Sequence, residues 1–267
     1  MPLADISLVK DGFDCLLVTR PQPEAADLAG RLNIPGLRVV LQPAFEFSQA
    51  AIDPAALEAL QAEAEKAPAP LLVFTSTRAV HFALQQLSVA LLSRCQLAAI
   101  GSATAAALQQ AGLPNLIQPL TGYRSEDLLQ TLDKLASERE LQASGAWIVA
   151  AAGGREALLE GLQQRGLDSR MLLVYRRQAA ATTPECRQKL QQSHRVLSVW
   201  TSAGAMQQLS SELEGPVWNR VCAGEWLVVS DRLAGIAANY HPAAMHLSAG
   251  PGNVELAAAI EQICQAG

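Results

Sequence analysis

Aromatic residues are scarce in this chain, and it has no excess of positive charge. Only 4% of the 267 residues are Phe, Trp or Tyr, and 20 Lys and Arg stand against 25 Asp and Glu, for a net charge of −5. Proteins that bind nucleic acids hold phosphates with clustered cations and stack bases on aromatic rings. The composition therefore argues against a nucleic-acid partner, but not against a small anionic ligand that responds to local charge.

The sequence also lacks paired cysteines and long apolar runs. The five cysteines are far apart, and no pair has the spacing of a metal site or redox motif, so we expect free thiols in a reducing compartment; they are Cys15, Cys95, Cys186, Cys222 and Cys264. No run of about 18 apolar residues occurs, and the N-terminal segment does not resemble a signal peptide. We expect a cytoplasmic protein that has no membrane partner.

Nucleotide and metal motifs are missing too. The turn at 101–104 lacks GxGxxG spacing, and the turn at 153–155 lacks a P-loop lysine. The four histidines do not form a ligand set, and Glu63 and Glu65 are predicted on a solvated helix. We assign no metal and no cofactor to these residues.

Half of the residues are hydrophobic, which is enough to bury a sizeable core. Short apolar strands alternate with Ala/Leu-rich helices: CLLVTRP (15–21) precedes a helix at 22–32, and PLLVFTS (70–76) precedes RAVHFALQQL. The helix that follows LAAIG (97–101) is predicted to stop at Gly112. This alternation predicts parallel sheets with helices on both faces.

Three pairs of segments repeat in a consistent register. LLVFTSTRAVHFAL (71–84) resembles LSVWTSAGAMQQL (197–209), 126 residues later. LAAIGSATAAALQQAG (97–112) is echoed at 226–241, and LLVTRPQPEAADLAGRL (16–32) at 147–166. The repeats predict two similar parallel-sheet domains of Rossmann or flavodoxin type.

The order of the repeats predicts that one domain is inserted into the other. We expect a discontinuous α/β domain from residues 1–42 and 176–267, and an inserted α/β domain from residues 46–172. Two chain crossings, near 39–47 and 172–180, are rich in β-formers and would make a two-strand linker. Such a linker is stiffer than a single flexible one, yet still lets a cleft between the domains open and close.

Small polar residues concentrate at the predicted carboxyl ends of the strands. Ligands of open parallel sheets bind at that edge, where helix N-termini present unpaired N–H groups to anions. Ser and Thr are also common helix N-caps, so each cluster has a purely structural interpretation, but recurrence in both repeats favours binding of a polyanion. The candidate binding residues are Thr75, Ser76, Thr77, Gly101, Ser102, Thr104, Gly153, Gly154, Arg155, Thr201, Ser202, Ala203 and Ser230.

Tyr175 is one of only three tyrosines and lies at a predicted domain crossing, before Arg176 and Arg177. It could simply pack and make one hydrogen bond. Alternatively its phenol, with a reference pKa near ~10, stays protonated at neutral pH and can donate a proton.

Taken in order, these segments resemble the uroporphyrinogen-III synthase family over nearly the whole chain. The matching segments are LLVTRP, VFTSTRAV, AAIGSATAAAL, GYRSEDLL, GGREALLEGLQQRG with VYRR, and VWTSAGA. The resemblance implies a two-domain lyase of porphyrin and haem biosynthesis that needs no cofactor or metal. Its substrate would be the linear tetrapyrrole polycarboxylate hydroxymethylbilane, closed with inversion of ring D and loss of water.

The resemblance also implies roles for single residues. Tyr175 would assist departure of the ring A hydroxyl, and Leu233 stands where the first repeat has Thr104. We expect a monomer and leave open a transient contact with the enzyme that makes hydroxymethylbilane. Ser125 is predicted to cap a helix near the substrate. The implied substrate contacts are Arg20, Ser76, Thr104, Ser125, Ser202 and Ser248.

A different class of protein fits the same repeats. A two-domain binding or sensor protein could close on a small polyanion without turnover, and it would have no need for Tyr175. A nucleotide-linked enzyme is disfavoured by the missing phosphate motifs.

Overall fold

The computed structural model describes residues 12–119, 122, 124–153, 156–213 and 215–266. Over these residues the chain divides into two compact units. The host unit comprises the described residues up to Glu46 and from Gln178 onward, and the inserted unit is Phe47–Arg177. The chain leaves the host unit within strand β3 (Phe45–Gln49) and returns within β8 (Ser169–Ala179), and these two strands are neighbours in one sheet.

The host unit contains a five-stranded sheet in the order β11-β10-β9-β1-β2, with every neighbouring pair parallel. Numbered along the host chain alone, this is the order 2-1-3-4-5 of flavodoxin-like sheets. Its strands are β1 (Cys15–Val18), β2 (Arg38–Leu41), β9 (Val196–Trp200), β10 (Glu225–Val228) and β11 (Ala244–Leu247). Its helices are α1 (Glu24–Arg31), α8 (Pro184–Gln191), α9 (Ala203–Glu212), α10 (Gly215–Cys222), α11 (Asp231–Ala237), a 3-10 turn (Ala238–Tyr240) and α12 (Asn253–Ala266).

The inserted unit contains a six-stranded sheet in the order β3-β8-β7-β4-β5-β6. The pairs from β8 to β6 are parallel. Its other strands are β4 (Leu71–Phe74), β5 (Gln96–Ala99), β6 (Leu116–Ile117) and β7 (Ala146–Ala151). Its helices are α2 (Pro54–Ala64), α3 (Thr77–Leu84), α4 (Val89–Leu92), α5 (Ser102–Gln110), α6 (Ser125–Ser137) and α7 (Glu156–Gln163).

The two sheets have the same spatial order of equivalent strands. When the Thr-Ser strands β4 and β9 are matched, β8-β7-β4-β5-β6 corresponds to β2-β1-β9-β10-β11. The first of these strands along the inserted chain is β4, whose host counterpart β9 comes third along the host chain, after β1 and β2. The inserted unit is therefore a circular permutation of the host unit, with β3 added at the edge of its sheet. This confirms the predicted α/β class with two similar parallel-sheet domains.

Both faces of each sheet are covered, which explains the continuous apolar runs in the sequence. In β4 every residue is buried: Leu72 and Phe74 pack into the core on one face, and Leu71 and Val73 into the core on the other. Parallel strands buried on both faces lose the apolar–polar alternation of half-exposed strands. The helix after β5 ends near Gly112 as predicted, because Gly112 adopts the left-handed φ of +84°.

The cysteines are free thiols, as predicted. Burial raises the pKa of Cys95, Cys186 and Cys222 to about 11, so these three are protonated at neutral pH. Among the described helices, none is both long enough and apolar enough to cross a bilayer. In the same part of the chain, no group of three or more His, Cys, Asp or Glu side chains is placed to hold a metal ion.

Glu63 and Glu65 lie at the end of helix α2, which has a largely exposed surface, but Glu63 itself is half-buried. Its side chain is 18% exposed and bridges two neighbours: it accepts a hydrogen bond from Trp147 Nε1 at 2.8 Å and pairs with Arg170 at 3.2 Å. Trp147 comes from β7, 84 residues along the chain, and this contact could not be read from the helix alone.

Candidate active site

The parallel register brings the strand ends of each sheet to a common edge. In the host sheet, Val18 pairs with Val199, and Trp200 with Val228. In the inserted sheet, Phe74 pairs with both Ala99 and Val149. We call these edges the host carboxyl edge and the inserted carboxyl edge. Most of the predicted binding residues follow these positions directly, so the structure brings them together as two groups, one on each unit.

A threonine bridges the topological switch point at each carboxyl edge. Thr19 Oγ1 donates to the Val199 carbonyl of the neighbouring strand at 2.6 Å, and Thr75 Oγ1 donates to the Val149 carbonyl at 3.1 Å. Sheets of this topology bind ligands at the switch point, where connections depart in opposite directions. Thr75 therefore lies at the expected place, but its hydroxyl hydrogen is used within the sheet.

Three of the predicted serines are helix N-caps. Ser76, Ser202 and Ser230 each accept a hydrogen bond from the backbone N–H three residues later, at 3.1, 3.2 and 3.3 Å. The structural interpretation of these residues is thus correct. Each hydroxyl hydrogen can still donate to a ligand, so capping does not oppose binding. Gly101 is the N-cap of α5 and has no side chain with which to make such a bond.

Tyr175 reaches the inserted carboxyl edge because of the strand register and a β-bulge. Ala150 pairs with Leu173 but Ala151 pairs with Tyr175, so Val174 is an extra residue in β8. The bulge reverses the alternation of the strand, and Val174 and Tyr175, although adjacent, both pack in the same core. Bulges are enriched next to active sites, where they redirect a side chain.

The ring of Tyr175 is packed and its hydroxyl lies beside Ser76. The residue is 9% exposed, and the Tyr175 hydroxyl is 3.4 Å from Ser76 Oγ. Its ring stacks on Phe82, with centroids 5.4 Å apart and planes 16° apart, and is 5.9 Å from the ring of Phe47. The guanidinium of Arg78 lies over the Phe47 ring, 4.2 Å from its centroid. Sequence reasoning missed these three neighbours.

Arg20 and Ser248 meet through one loop of the host carboxyl edge. Arg20 Nη1 donates to the Pro251 carbonyl at 2.6 Å, and Ser248 Oγ donates to the Gly250 carbonyl at 2.8 Å. Both side chains thus order the loop before α12, and Ser248 is only 5% exposed.

Chain comparisons identify the family of this protein. A family model described as "Uroporphyrinogen-III synthase HemD" matches residues 26–225. The uroporphyrinogen-III synthase of Escherichia coli (strain K12) is 33% identical over 231 residues, which cover 83% of this chain and 89% of the relative. The chain belongs to the uroporphyrinogen-III synthase family. It therefore has the activity of that family of cyclising lyases of porphyrin and haem biosynthesis, and the binding or sensor alternative is not favoured.

Solved structures of the same family share the fold. A mutant uroporphyrinogen III synthase from the extreme thermophile Thermus thermophilus aligns with a TM-score of 0.56 at 18% identity, covering 95% of this chain and 99% of that one. The Helicobacter pylori 26695 enzyme gives a TM-score of 0.55 at 15% identity, covering 91% of this chain and 97% of that one.

The other predicted residues differ in how accessible they are. Thr77, Ser102 and Gly153 are exposed at the inserted carboxyl edge, and Thr201 and Ala203 are half-buried at the host edge. Thr104 is 5% exposed, with its side chain inside the unit. Gly154 and Arg155 lie outside the described residues. In the host unit, Leu233 is buried at the position equivalent to Thr104.

The prediction that Ser125 caps its helix was wrong by one residue. Helix α6 begins at Ser125, and Arg124 is the N-cap, with its N–H donating to Asp127 Oδ2 at 2.9 Å. Asp127 is the third helical residue, and its carboxylate accepts from the N-cap N–H, as the acidic residue of a capping box does. Ser125 itself is 6% exposed.

At the opposite edge of the host sheet, Asp14 has a structural role. Burial disfavours its charge, but the backbone N–H groups of Arg195 and His194 and the side chain of Arg38 outweigh that effect and lower its pKa. The carboxylate is 2.8 Å from the Arg195 nitrogen and 3.0 Å from both the His194 nitrogen and Arg38 Nη2. It thus joins the segments that enter β1 and β9.

Proposed function

We propose that this chain closes hydroxymethylbilane to uroporphyrinogen III with inversion of ring D, and that Tyr175 is the general acid. The observation that carries the proposal is a phenol beside a capping serine at the carboxyl edge of a parallel sheet. The family membership supports the reaction, and the position of Tyr175 supports its role.

In this mechanism Tyr175 donates its proton to the hydroxyl on ring A. The carbon–oxygen bond breaks, water leaves, and the pyrrole nitrogen supplies the electron pair that stabilises the resulting azafulvene cation. The substituted carbon of ring D attacks this cation to give a spiro pyrrolenine, which fragments and recloses as the type III isomer. The last pyrrole carbon then loses a proton, which restores the phenol, so that water is the sole by-product.

The carboxyl edge of each unit offers donors for substrate carboxylates. Arginines lie there as well as hydroxyls: Arg20 and Arg232 follow host strands. In the inserted unit, Arg78 lies over the Phe47 ring and Arg176 follows Tyr175 in β8. Local positive charge of this kind attracts a polycarboxylate even though the net charge of the chain is −5. We propose as carboxylate ligands the accessible members of the predicted set, among them Thr77, Ser102, Gly153 and Arg20.

The main task of the protein is conformational. Hydroxymethylbilane closes by itself without inversion, so the protein must place the substituted carbon of ring D nearest to the cation. Holding two groups in a reactive geometry can lower the activation barrier substantially. No metal or cofactor takes part in the proposed steps.

A coupled assay tests the proposal. Hydroxymethylbilane is generated in situ, the protein is added, the products are oxidised, and the porphyrin isomers I and III are separated. We expect isomer III only when the protein is present. Isomer I alone would contradict the activity, and substrate binding without turnover would support the binding-protein alternative.

We further propose that the chain acts as a monomer in the cytoplasm, with a transient contact to the enzyme that makes hydroxymethylbilane. Sedimentation velocity tests the monomer. Faster isomer III formation from nascent than from added hydroxymethylbilane would support the contact.

A further inference from the structure

One helix contacts Tyr175 at both ends of the phenol. Ser76, the N-cap of α3, is 3.4 Å from the hydroxyl, and Phe82, six residues further along, stacks on the ring. Position and orientation of the phenol are therefore both set by a single rigid element.

The ring of Phe47 is a third fixed neighbour. It lies 5.9 Å from the Tyr175 ring at an angle of 50°, within the distances at which aromatic pairs attract. Arg78, on the first turn of the same helix α3, places its guanidinium over the Phe47 ring. Phe47 is on β3, so the group joins a helix to the edge of the sheet.

This support matters because the backbone at Tyr175 is irregular. The bulge at Val174 interrupts the pairing of β8 with β7, and Ala151, the partner of Tyr175, is the last residue of its strand. On the β7 side, the strand ladder therefore holds this residue less firmly than one in the middle of a strand. Stacking partners can supply the missing constraint.

We infer that Phe82 and Phe47 are positioning residues for Tyr175, acting on the rate of the chemical step through the phenol and not by contact with substrate. The inference rests on the proposed function of Tyr175. Displacing a catalytic group by about 1 Å can cost a hundredfold in rate, so loss of a stacked ring should lower kcat while leaving KM nearly unchanged.

A double-mutant cycle in kcat tests this inference. We expect Phe82→Leu to lower kcat about 10-fold in the wild-type background, because the phenol is no longer held in place. In the Tyr175→Phe background the same change should have almost no further effect, because the hydroxyl that it positions is already gone. Phe82→Tyr, which keeps the stacked ring, should restore most of the activity.

A control variant and a second test variant complete the experiment. Phe13→Leu makes the same change at a residue that is 8% exposed in the host unit, and it should lower the melting temperature but not kcat. Phe47→Leu should reproduce the kcat pattern of Phe82→Leu, and it takes over the cycle if Phe82→Leu does not fold.

The outcomes separate the inference from the function on which it rests. Equal losses of kcat in the two backgrounds would overturn the positioning role of Phe82 and leave Tyr175 as the general acid. Wild-type kcat in Tyr175→Phe would overturn both. Failure of the wild-type protein to make isomer III would contradict the activity itself.

Discussion

Replacing Tyr175 with Phe removes one oxygen atom and keeps the ring that packs against Phe47 and Phe82. The hydroxyl lies 3.4 Å from Ser76 Oγ, whereas strong O–H···O bonds span about 2.5–3.0 Å. A typical hydrogen bond contributes about 1 kcal/mol net, and this longer one should contribute less. We therefore expect the variant to fold with nearly unchanged stability.

The effect on catalysis should be much larger than the effect on stability. General acids contribute about 10²–10⁴ in rate, and other donors can partly replace the phenol, so we expect kcat to fall by about 10- to 10³-fold. That range corresponds to about 1.4–4 kcal/mol in activation free energy. A loss of this size in a protein of unchanged stability would place the phenol in the reaction.

The assay follows isomer III formation from hydroxymethylbilane, with urea unfolding of the same samples. Tyr240→Phe is the matched control, because it removes a tyrosine hydroxyl from the aromatic group of the host unit, where the Tyr240 ring packs on Trp218 and Trp226. A Tyr175→Phe enzyme with kcat within about twofold of the wild type would refute the general-acid role.

Two other predictions concern stability. Ser202→Ala should lower the free energy of unfolding by about 1 kcal/mol, because α9 loses its cap, and should raise KM severalfold; unfolding in urea and substrate titration measure the two effects. Asp14→Asn should cost about 1–3 kcal/mol at pH 7, because hydrogen bonds to a charged carboxylate are lost. The pKa of Asp14 is lowered by folding, so its contribution is complete above about pH 4 and is lost as the pH falls through the folded-state pKa. The difference between wild type and Asp14→Asn should therefore shrink in acid, and a constant difference from pH 7 to pH 2 would contradict this explanation.

The strand–helix order and the location of the candidate site could be predicted from sequence for a physical reason. Buried parallel strands are continuous apolar runs, and their carboxyl ends share one edge, so the Thr-Ser ends of β4 and β9 indicated where polar groups would gather. The repeat spacing then indicated a shared topology. These signals are local or periodic, so they can be read from the sequence without knowledge of three-dimensional contacts.

The surroundings of Tyr175 could not be predicted in the same way. Nothing in LLVYRRQ shows that Val174 is the extra residue, because a bulge depends on how β8 pairs with β7. Phe47 and Phe82 come from β3 and α3 and reach the ring only through tertiary packing. The error at Ser125 is a local one: the Asp127 carboxylate accepts from the Arg124 N–H, so the helix is capped one residue earlier than the serine suggested.

The neighbouring positions of β3 and β8 have a consequence for folding. The Ala180 N–H donates to the Ala44 carbonyl at 3.1 Å. The point where the chain leaves the host unit is therefore held next to the point where it returns. Closing a flexible loop of about 136 residues costs about 4 kcal/mol of chain entropy. Once the inserted unit has folded, its entry and exit strands lie side by side and most of that cost has been met. We therefore expect the host unit to gain stability from a segment that supplies none of the strands of its own sheet, and damage to the inserted unit to weaken both.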